Sequence, residues 1–396
     1  MKLKIAIVVH GRFHAFDLAR ELIKQGNDVT LFTNYPKNIV EKFGINKKHV
    51  KSFLIHGIFA RISGKVQRIL DQVNLEALLH TKFSSWATQI IVKQEYDVVY
   101  AFSGVAEEIF QALSNKHVLK AVVRGSAHIR TQFQILSAEE KRARVSVDKP
   151  SNWIIAREER EYQISDLVIV LSTFAKRSFI DQGIVQEKLK VLPLGTQLEK
   201  FYPVRQVIKE RCHRISSKNP LRVLMVGTYS YRKGAIDFSK IAELGGNHFQ
   251  FKFVGNVNSE VSQLVQNSSG NIEFIPKQPQ YELPEFYAWA DIFIFTTIED
   301  GYAVVLAQAQ AAGIPILSTT NCASLDIVVE GETGWILPIR SPESFVERLM
   351  WCDQHRQDLV QMVWRIYQNF QPRDWAEVAA DFVDISYTEI SKKLEV

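Results

Sequence analysis

Cysteine is scarce in this chain. Three occur in 396 residues, Cys212, Cys322 and Cys352; an odd number so widely spaced builds neither a disulfide framework nor a metal site and fits a reducing compartment. Long apolar runs are lacking too. The first, Ile5 to Val9, is closed by His10-Gly11-Arg12, which is too short for a signal-peptide core and reads as a buried strand ending in a polar loop. No uninterrupted stretch approaches the roughly 20 apolar residues of a membrane span. The expectation is a cytoplasmic protein, peripheral to a membrane if it meets one. No Asp-x-Asp occurs, which argues against a site where paired carboxylates hold a divalent ion on a diphosphate. There is no Gly-x-Ser-x-Gly elbow and no Walker loop. The first loop lacks Gly-x-Gly-x-x-Gly, which removes a nicotinamide dinucleotide, and nothing singles out a lysine for a pyridoxal cofactor. Neither metal nor cofactor is expected.

What is present is a balanced globular composition, 46% hydrophobic and 23% charged, with disorder and fibrous classes excluded. At about 150 residues per domain, this length predicts two or three domains, two being the simplest reading. Lys and Arg total 48 against 43 Asp and Glu, a formal +5, too mild for a nucleic-acid binder. The charge is uneven, however. Residues 1–200 carry 30 basic and 20 acidic side chains, and residues 201–396 carry 18 and 23. The net +10 of the first half predicts an anionic partner there, such as a membrane surface or a phosphorylated acceptor.

Short runs rich in β-branched residues alternate with helical patterns, the signature of parallel α/β sheets. Strands are predicted at 4–9, 28–33, 97–102, 118–124, 167–171 and 190–193, then, after a polar stretch at 205–219, at 222–226, 250–254, 272–275, 292–296, 314–318 and 335–337. Helical spacing at 15–25 completes a first βαβ unit, and 375–390 shows one apolar face of Trp375, Val378, Ala379, Phe382 and Ile385. Two doubly wound sheets in series fit this pattern, with ligands at the carboxyl ends of their strands. Between 51 and 94 no strand is evident. There Arg61, Lys65 and Arg68 interleave with Phe59, Ile62, Val66 and Ile69, either a basic amphipathic segment for a membrane surface or an ordinary packed helix with a solvated basic face.

The most informative segment, 298–316, reads IEDGYAVVLAQAQAAGIPI and follows an apolar strand. A glycine at such a strand-to-helix turn brings backbone N–H groups close to a ligand phosphate, aided by the helix dipole. Asp300 can accept hydrogen bonds from hydroxyls, and Gln308 lies about two helical turns further on. This segment resembles the Glu-x7-Glu motif of glycosyltransferase family 4. Aligned on Gly313-Ile-Pro315, Asp300 and Gln308 take the two glutamate positions, and Gly301, Tyr302 and Ala303 match the glycine-aromatic-glycine loop except at Ala303. The resemblance continues in Gly227-Thr-Tyr-Ser-Tyr-Arg-Lys-Gly234, in Glu161-x4-Asp166 with Ser172, in Pro193-Leu-Gly195 to Phe201-Tyr-Pro203, in Tyr287-Ala-Trp-Ala-Asp291 and in Asp326, Gly331 and Gly334. The family often has arginine directly after the first glycine, where this chain has Thr228.

The resemblance implies a retaining, metal-independent glycosyltransferase with the GT-B fold: two Rossmann-like doubly wound domains facing a cleft. Residues 1–203 would form the acceptor domain, 204–371 the donor domain, and helix 372–396 would cross back onto the first. The donor would be a UDP- or GDP-linked sugar. Gly227, Arg232 and Lys233 would hold its diphosphate, Asp300 and residues 301–303 its sugar, and Gln308 its ribose. His128, in Arg124-Gly-Ser-Ala-His128 at a strand end, resembles the family's histidine beside the transferring sugar; read from the residues alone it caps backbone equally well. Asp300, Lys233, Arg232 and His128 form the expected catalytic set. His10, Gly11, Arg12 and His14 after the first strand, with Arg124, would meet a hydroxyl acceptor, taken as a glycan that is lipid-linked or anionic. Arg130 is a further candidate for phosphate. A GT-B epimerase and a non-catalytic nucleotide-sugar-binding subunit are the alternatives.

Overall fold

The computed structural model describes residues 2–57, 75–268 and 270–394. Two wholly parallel sheets are present. The first has β1 (Lys4–Val9), β2 (Asp28–Thr33), β3 (Val50–Ser52), β4 (Val98–Phe102), β5 (Leu119–Arg124), β6 (Leu167–Val170) and β7 (Leu189–Val191) in the order 3-2-1-4-5-6-7. The second has β8 (Leu221–Tyr229), β9 (Phe249–Val257), β10 (Ile272–Pro276), β11 (Ile292–Phe295), β12 (Ile316–Thr319) and β13 (Gly334–Leu337) in the order 10-9-8-11-12-13. Strands such as β4 and β11 are buried at every residue, as expected where helices cover both faces of a parallel sheet.

In each sheet the winding direction reverses beside the first strand, between β1 and β4 and between β8 and β11. Crevices open at such reversals because the following helices lie on opposite faces. The loops after β1, β8 and β11 therefore carry His10 to His14, Ser230 to Gly234 and Thr296 to Ala303 to one region.

Helix Trp375–Leu394 buries Trp375, Val378, Ala379 and Phe382 in the core of the first sheet. The Phe382 ring meets Tyr100 edge-on at 5.2 Å, and Glu389 pairs with Lys190 at 3.0 Å. Gly195 makes the crossing feasible: a Cβ there would stand 2.6 Å from the Asp374–Trp375 backbone.

Two readings of the sequence change. The polar stretch at 205–219 contains a helix, Arg205–Ser216, that buries Ile208, Arg211, Cys212 and Ile215. Arg211 is fully buried and donates to the carbonyls of Tyr287, Ala290, Ala312 and Gly313, satisfying acceptors left over at two helix ends. Within 51–94, β3 ends at Ser52 and a helix runs over Leu75–Ile91. The basic amphipathic residues from Phe59 to Ile69 lie outside the described residues. Among the described residues no helix is long and apolar enough to cross a membrane.

Candidate active site

The loop after β8 is built to present two cations. Ser230 caps a short 3-10 turn, Tyr231–Lys233, by accepting from the Lys233 N–H. Gly234 then turns into the left-handed region at φ +75, and any Cβ there would lie 1.9 Å from the Thr296 carbonyl. Only glycine allows this close approach of the turn to the end of β11. It sets Lys233 Nζ 2.5 Å from Asp300 Oδ2. Arg232 donates to Glu299 Oε2 at 2.9 Å and to Ser126 Oγ at 2.8 Å.

Asp300 has a structural task as well. Its Oδ1 accepts the N–H groups of Tyr302 and Ala303, each at 3.1 Å, at the start of helix Val304–Ala311. Those two donors are turned to Asp300 and not offered to the cleft. Burial alone would raise the Asp300 carboxyl, but the Lys233 charge and hydrogen bond outweigh it and hold it below the usual range. Ala303 sits at φ +61, a conformation that strains a residue bearing a Cβ, so the departure from glycine noted at this position has a physical cost.

Glu299, the preceding residue, has no exposed surface. It accepts from the Ala127 N–H at 3.0 Å and from Gln132 Nε2 at 2.9 Å, both on the first domain, and from Arg232 on its own. Burial would raise this carboxyl too, yet the Arg232 and Lys233 charges lower it. The domains touch directly beside it: a Cβ on Gly301 would lie 2.1 Å from the Gly125 carbonyl. Glu299, Ser126, Gln132 and Glu158 were not singled out from the sequence. The adjacent acids Glu299-Asp300 were a local signal for the first; the others come from distant segments.

Between the domains lies a cleft of about 630 Å³, with His10, Phe13, His14, His80, Phe102 and Arg124 on one side and Arg232, Asp300, Tyr302 and Ala303 on the other. The sequence-predicted residues thus divide. Arg232, Lys233, Asp300, Gly301, Tyr302 and Ala303 converge beside it, and Gly227 stands upstream in β8 at φ +144. Gln308 is buried one turn along its helix, accepting from the Tyr287 hydroxyl at 2.9 Å, and is not in the cleft wall. His10 and His14 line the cleft. Gly11 holds its carbonyl to Thr33 Oγ1. Arg12 turns away, with its guanidinium 4.1 Å from the Phe43 ring centroid. Arg124 reaches the cleft but is bound to Glu158 at 2.8 Å and Gln132 at 2.7 Å, and Arg130 is paired with Glu159 at the surface.

His128 corrects the expectation that it faces the cleft. It is 2% exposed and caps helix Ile129–Ala143, its Nδ1 accepting from the Arg130 N–H at 3.2 Å. Its ring packs against Tyr162 and Phe179 at 5.0 and 4.8 Å. Desolvation lowers its pKa to about 4, so it is neutral at pH 7. The backbone-capping role is the one its geometry shows. Among the described residues no group of three or more His, Cys, Asp or Glu is placed to hold a metal ion.

Comparison with known proteins supplies a family. Residues 12–200 match the model described as Glycosyltransferase Family 4, and residues 209–362 match the model described as Glycosyl transferases group 1. Among curated proteins, the chain is 24% identical over 217 residues to the amylovoran biosynthesis glycosyltransferase AmsK of Erwinia amylovora, covering 52% of this chain and 51% of that one. The match thus spans about half the length of that relative. Among solved structures, HepE of Anabaena in complex with UDP superposes with a TM-score of 0.70 at 14% identity, covering 98% of this chain and all of that one. The sucrose-phosphate synthase of Thermosynechococcus elongatus gives 0.70 at 15% over 99% of this chain and all of that one. These likenesses establish the two-domain GT-B fold.

Proposed function

The chain belongs to glycosyltransferase family 4, and from that premise we propose that it transfers a sugar from a nucleoside diphosphate sugar to a glycan hydroxyl in polysaccharide synthesis. One observation carries the reading: two cations, Arg232 and Lys233, meet two carboxylates, Glu299 and Asp300, where the second sheet reverses, beside a cleft. In the reaction the bond between the anomeric carbon and the diphosphate oxygen breaks, and the acceptor oxygen takes its place. Arg232 and Lys233 neutralise the departing diphosphate, and Asp300 accepts a hydroxyl of the sugar. The relatives' names support the rest of the reading, amylovoran synthesis on one side and bound UDP on the other. A UDP- or GDP-linked donor is the expectation carried forward.

Retention of configuration is part of the same proposal. The cleft-lining carboxylates Asp300 and Glu158 are each ion-paired, which favours a front-face route in which the leaving phosphate takes the acceptor proton. The basic first half suits an acceptor presented at an anionic membrane surface; equal binding to anionic and neutral vesicles would remove that element.

The test is Lys233→Ala. A charge-assisted contact is worth about 1.5–3 kcal/mol, so turnover should fall roughly 10- to 150-fold, with cooperative unfolding retained. The assay is nucleotide release from UDP- and GDP-sugars in the presence of glycan acceptors. Wild-type turnover in the variant would refute the diphosphate role.

A further inference from the structure

The first domain's wall of the cleft is made of rings. Phe13 is 62% exposed and its backbone is held at φ +40, a region that bulky side chains seldom occupy. Gly11, before it, would press a Cβ to 3.0 Å from the Phe13 ring, so the turn is shaped around that ring. Phe13 lies nearly parallel to Phe102, with ring centroids 5.6 Å apart and planes at 22°. His14 packs on Phe102 at 4.8 Å and bonds the Tyr100 hydroxyl at 3.2 Å. His10 lies 4.5 Å from the His80 ring; His80 Nδ1 is engaged by the Gly104 carbonyl at 2.8 Å. His10 Nδ1, by contrast, is buried without a hydrogen-bond partner.

An exposed aromatic in strained backbone beside an unsatisfied imidazole points to a ligand with a flat apolar face and a hydroxyl edge. Sugar rings have both. Charge points the same way. Arg124 is neutralised by Glu158, Arg12 faces Phe43, and Arg130 is held by Glu159. Burial, reinforced by the neighbouring imidazoles, drives His10 down to about 3, and burial drives His14 to about 4. Among its described residues this wall therefore offers no unpaired cation at neutral pH.

We propose that this wall is a subsite for an uncharged pyranose ring of the acceptor, stacked on the Phe13–Phe102 pair with a hydroxyl bonded to His10. Phe13 is then the residue that selects for a sugar face. The assignment rests on the transferase reading for the word acceptor, but the sugar site stands on its own geometry. It differs from the anionic acceptor that the charge of the first half predicts: any anionic group on the acceptor lies outside this wall.

Calorimetric titration of the full chain tests it. The probes are methyl α- and β-hexopyranosides and neutral disaccharides, against glucuronic acid and hexose 6-phosphates. Neutral sugars should bind more tightly than the anions. Phe13→Ala should weaken them about tenfold, Phe13→Tyr should restore them, and His10→Phe, which keeps a ring without nitrogens, should weaken them too. Equal or tighter binding of the anions, or an unchanged Phe13→Ala, overturns the proposal. Thermal stabilisation by UDP- and GDP-sugars, read separately on the wild type, isolates the premise. Sugars binding without any nucleotide sugar would sink the transferase reading and leave the subsite. Nucleotide sugars binding without any neutral sugar would do the reverse, and binding of neither would sink both.

Discussion

His128 offers a sharp check, because its geometry makes it a pH-dependent helix cap. Its Nδ1 accepts the Arg130 N–H, which requires that nitrogen to be unprotonated. Burial against Tyr162 and Phe179 lowers its pKa to about 4, from 6.5 for a free imidazole. The unfolded chain therefore binds a proton that the folded one refuses. The associated stability is fully present above pH 6.5 and is lost as pH falls toward 4. From those two values the loss at pH 5 is about 2 kcal/mol. His128→Asn keeps an N-cap oxygen and removes the titration, while thinning the contact with two rings by about 1 kcal/mol. The variant should be the less stable protein at pH 7.5, yet lose about 2 kcal/mol less than wild type between pH 7.5 and pH 5. Urea unfolding at the two pH values, with unchanged m, measures this directly. Parallel losses in variant and wild type would refute the buried neutral cap. Transfer activity in His128→Asn at pH 7.5 is expected to persist, and its abolition would return His128 to the catalytic set.

Ala303→Gly, at φ +61, should stabilise the protein by about 1 kcal/mol by relieving left-handed strain; a loss of stability on thermal unfolding would show that the Ala303 methyl earns more than its backbone costs. Arg211→Met should cost at least about 3 kcal/mol, since four buried carbonyls lose their donor; a midpoint within error of wild type would mean that water replaces the guanidinium.

Of the thirteen strands, twelve were legible to within a few residues, because buried parallel strands are short apolar runs bounded by turn residues. β3 escaped because Val50-Lys-Ser52 is three residues long with one apolar side chain at a sheet edge. Helix Arg205–Ser216 escaped for another reason. Ile208, Cys212 and Ile215 recur at helical spacing, but Arg211 stands in the same buried stripe and reads as solvated charge. Its burial depends on carbonyls about 76 to 102 positions away, which no local pattern contains. The same limit divided the site. Arg232, Lys233 and Asp300 were legible because each sits in a short strand-to-helix loop. Ser126, Gln132 and Glu158 were not, since their bonds to Arg124, Glu299 and Arg232 join segments that only the tertiary fold brings together. His128 misled because a strand-end histidine has the same sequence whether it faces the cleft or the following helix.

The formal charge of the first half is a poor guide to the cleft, because it does not say where the cations stand or which of them are paired. Arg157 is bound by Glu107 and Glu108, Arg142 by Asp237 of the other domain, and Lys190 by Glu389 of the returning helix. What remains specific is local. Arg232 and Lys233 already face carboxylates, so on the proposed reading a diphosphate would bind by exchange. The surrounding bonds make that exchange feasible. If Arg232 moves to phosphate, Glu299 keeps the Ala127 N–H and the Gln132 amide and is not left bare in a buried place. If Lys233 moves, Asp300 keeps the N–H groups of Tyr302 and Ala303 through Oδ1, and its Oδ2 becomes available to a sugar hydroxyl. Each cation can therefore leave without stranding its carboxylate. The domain contact made by Glu299 would survive donor binding, holding the ring-lined wall opposite the sugar to be transferred.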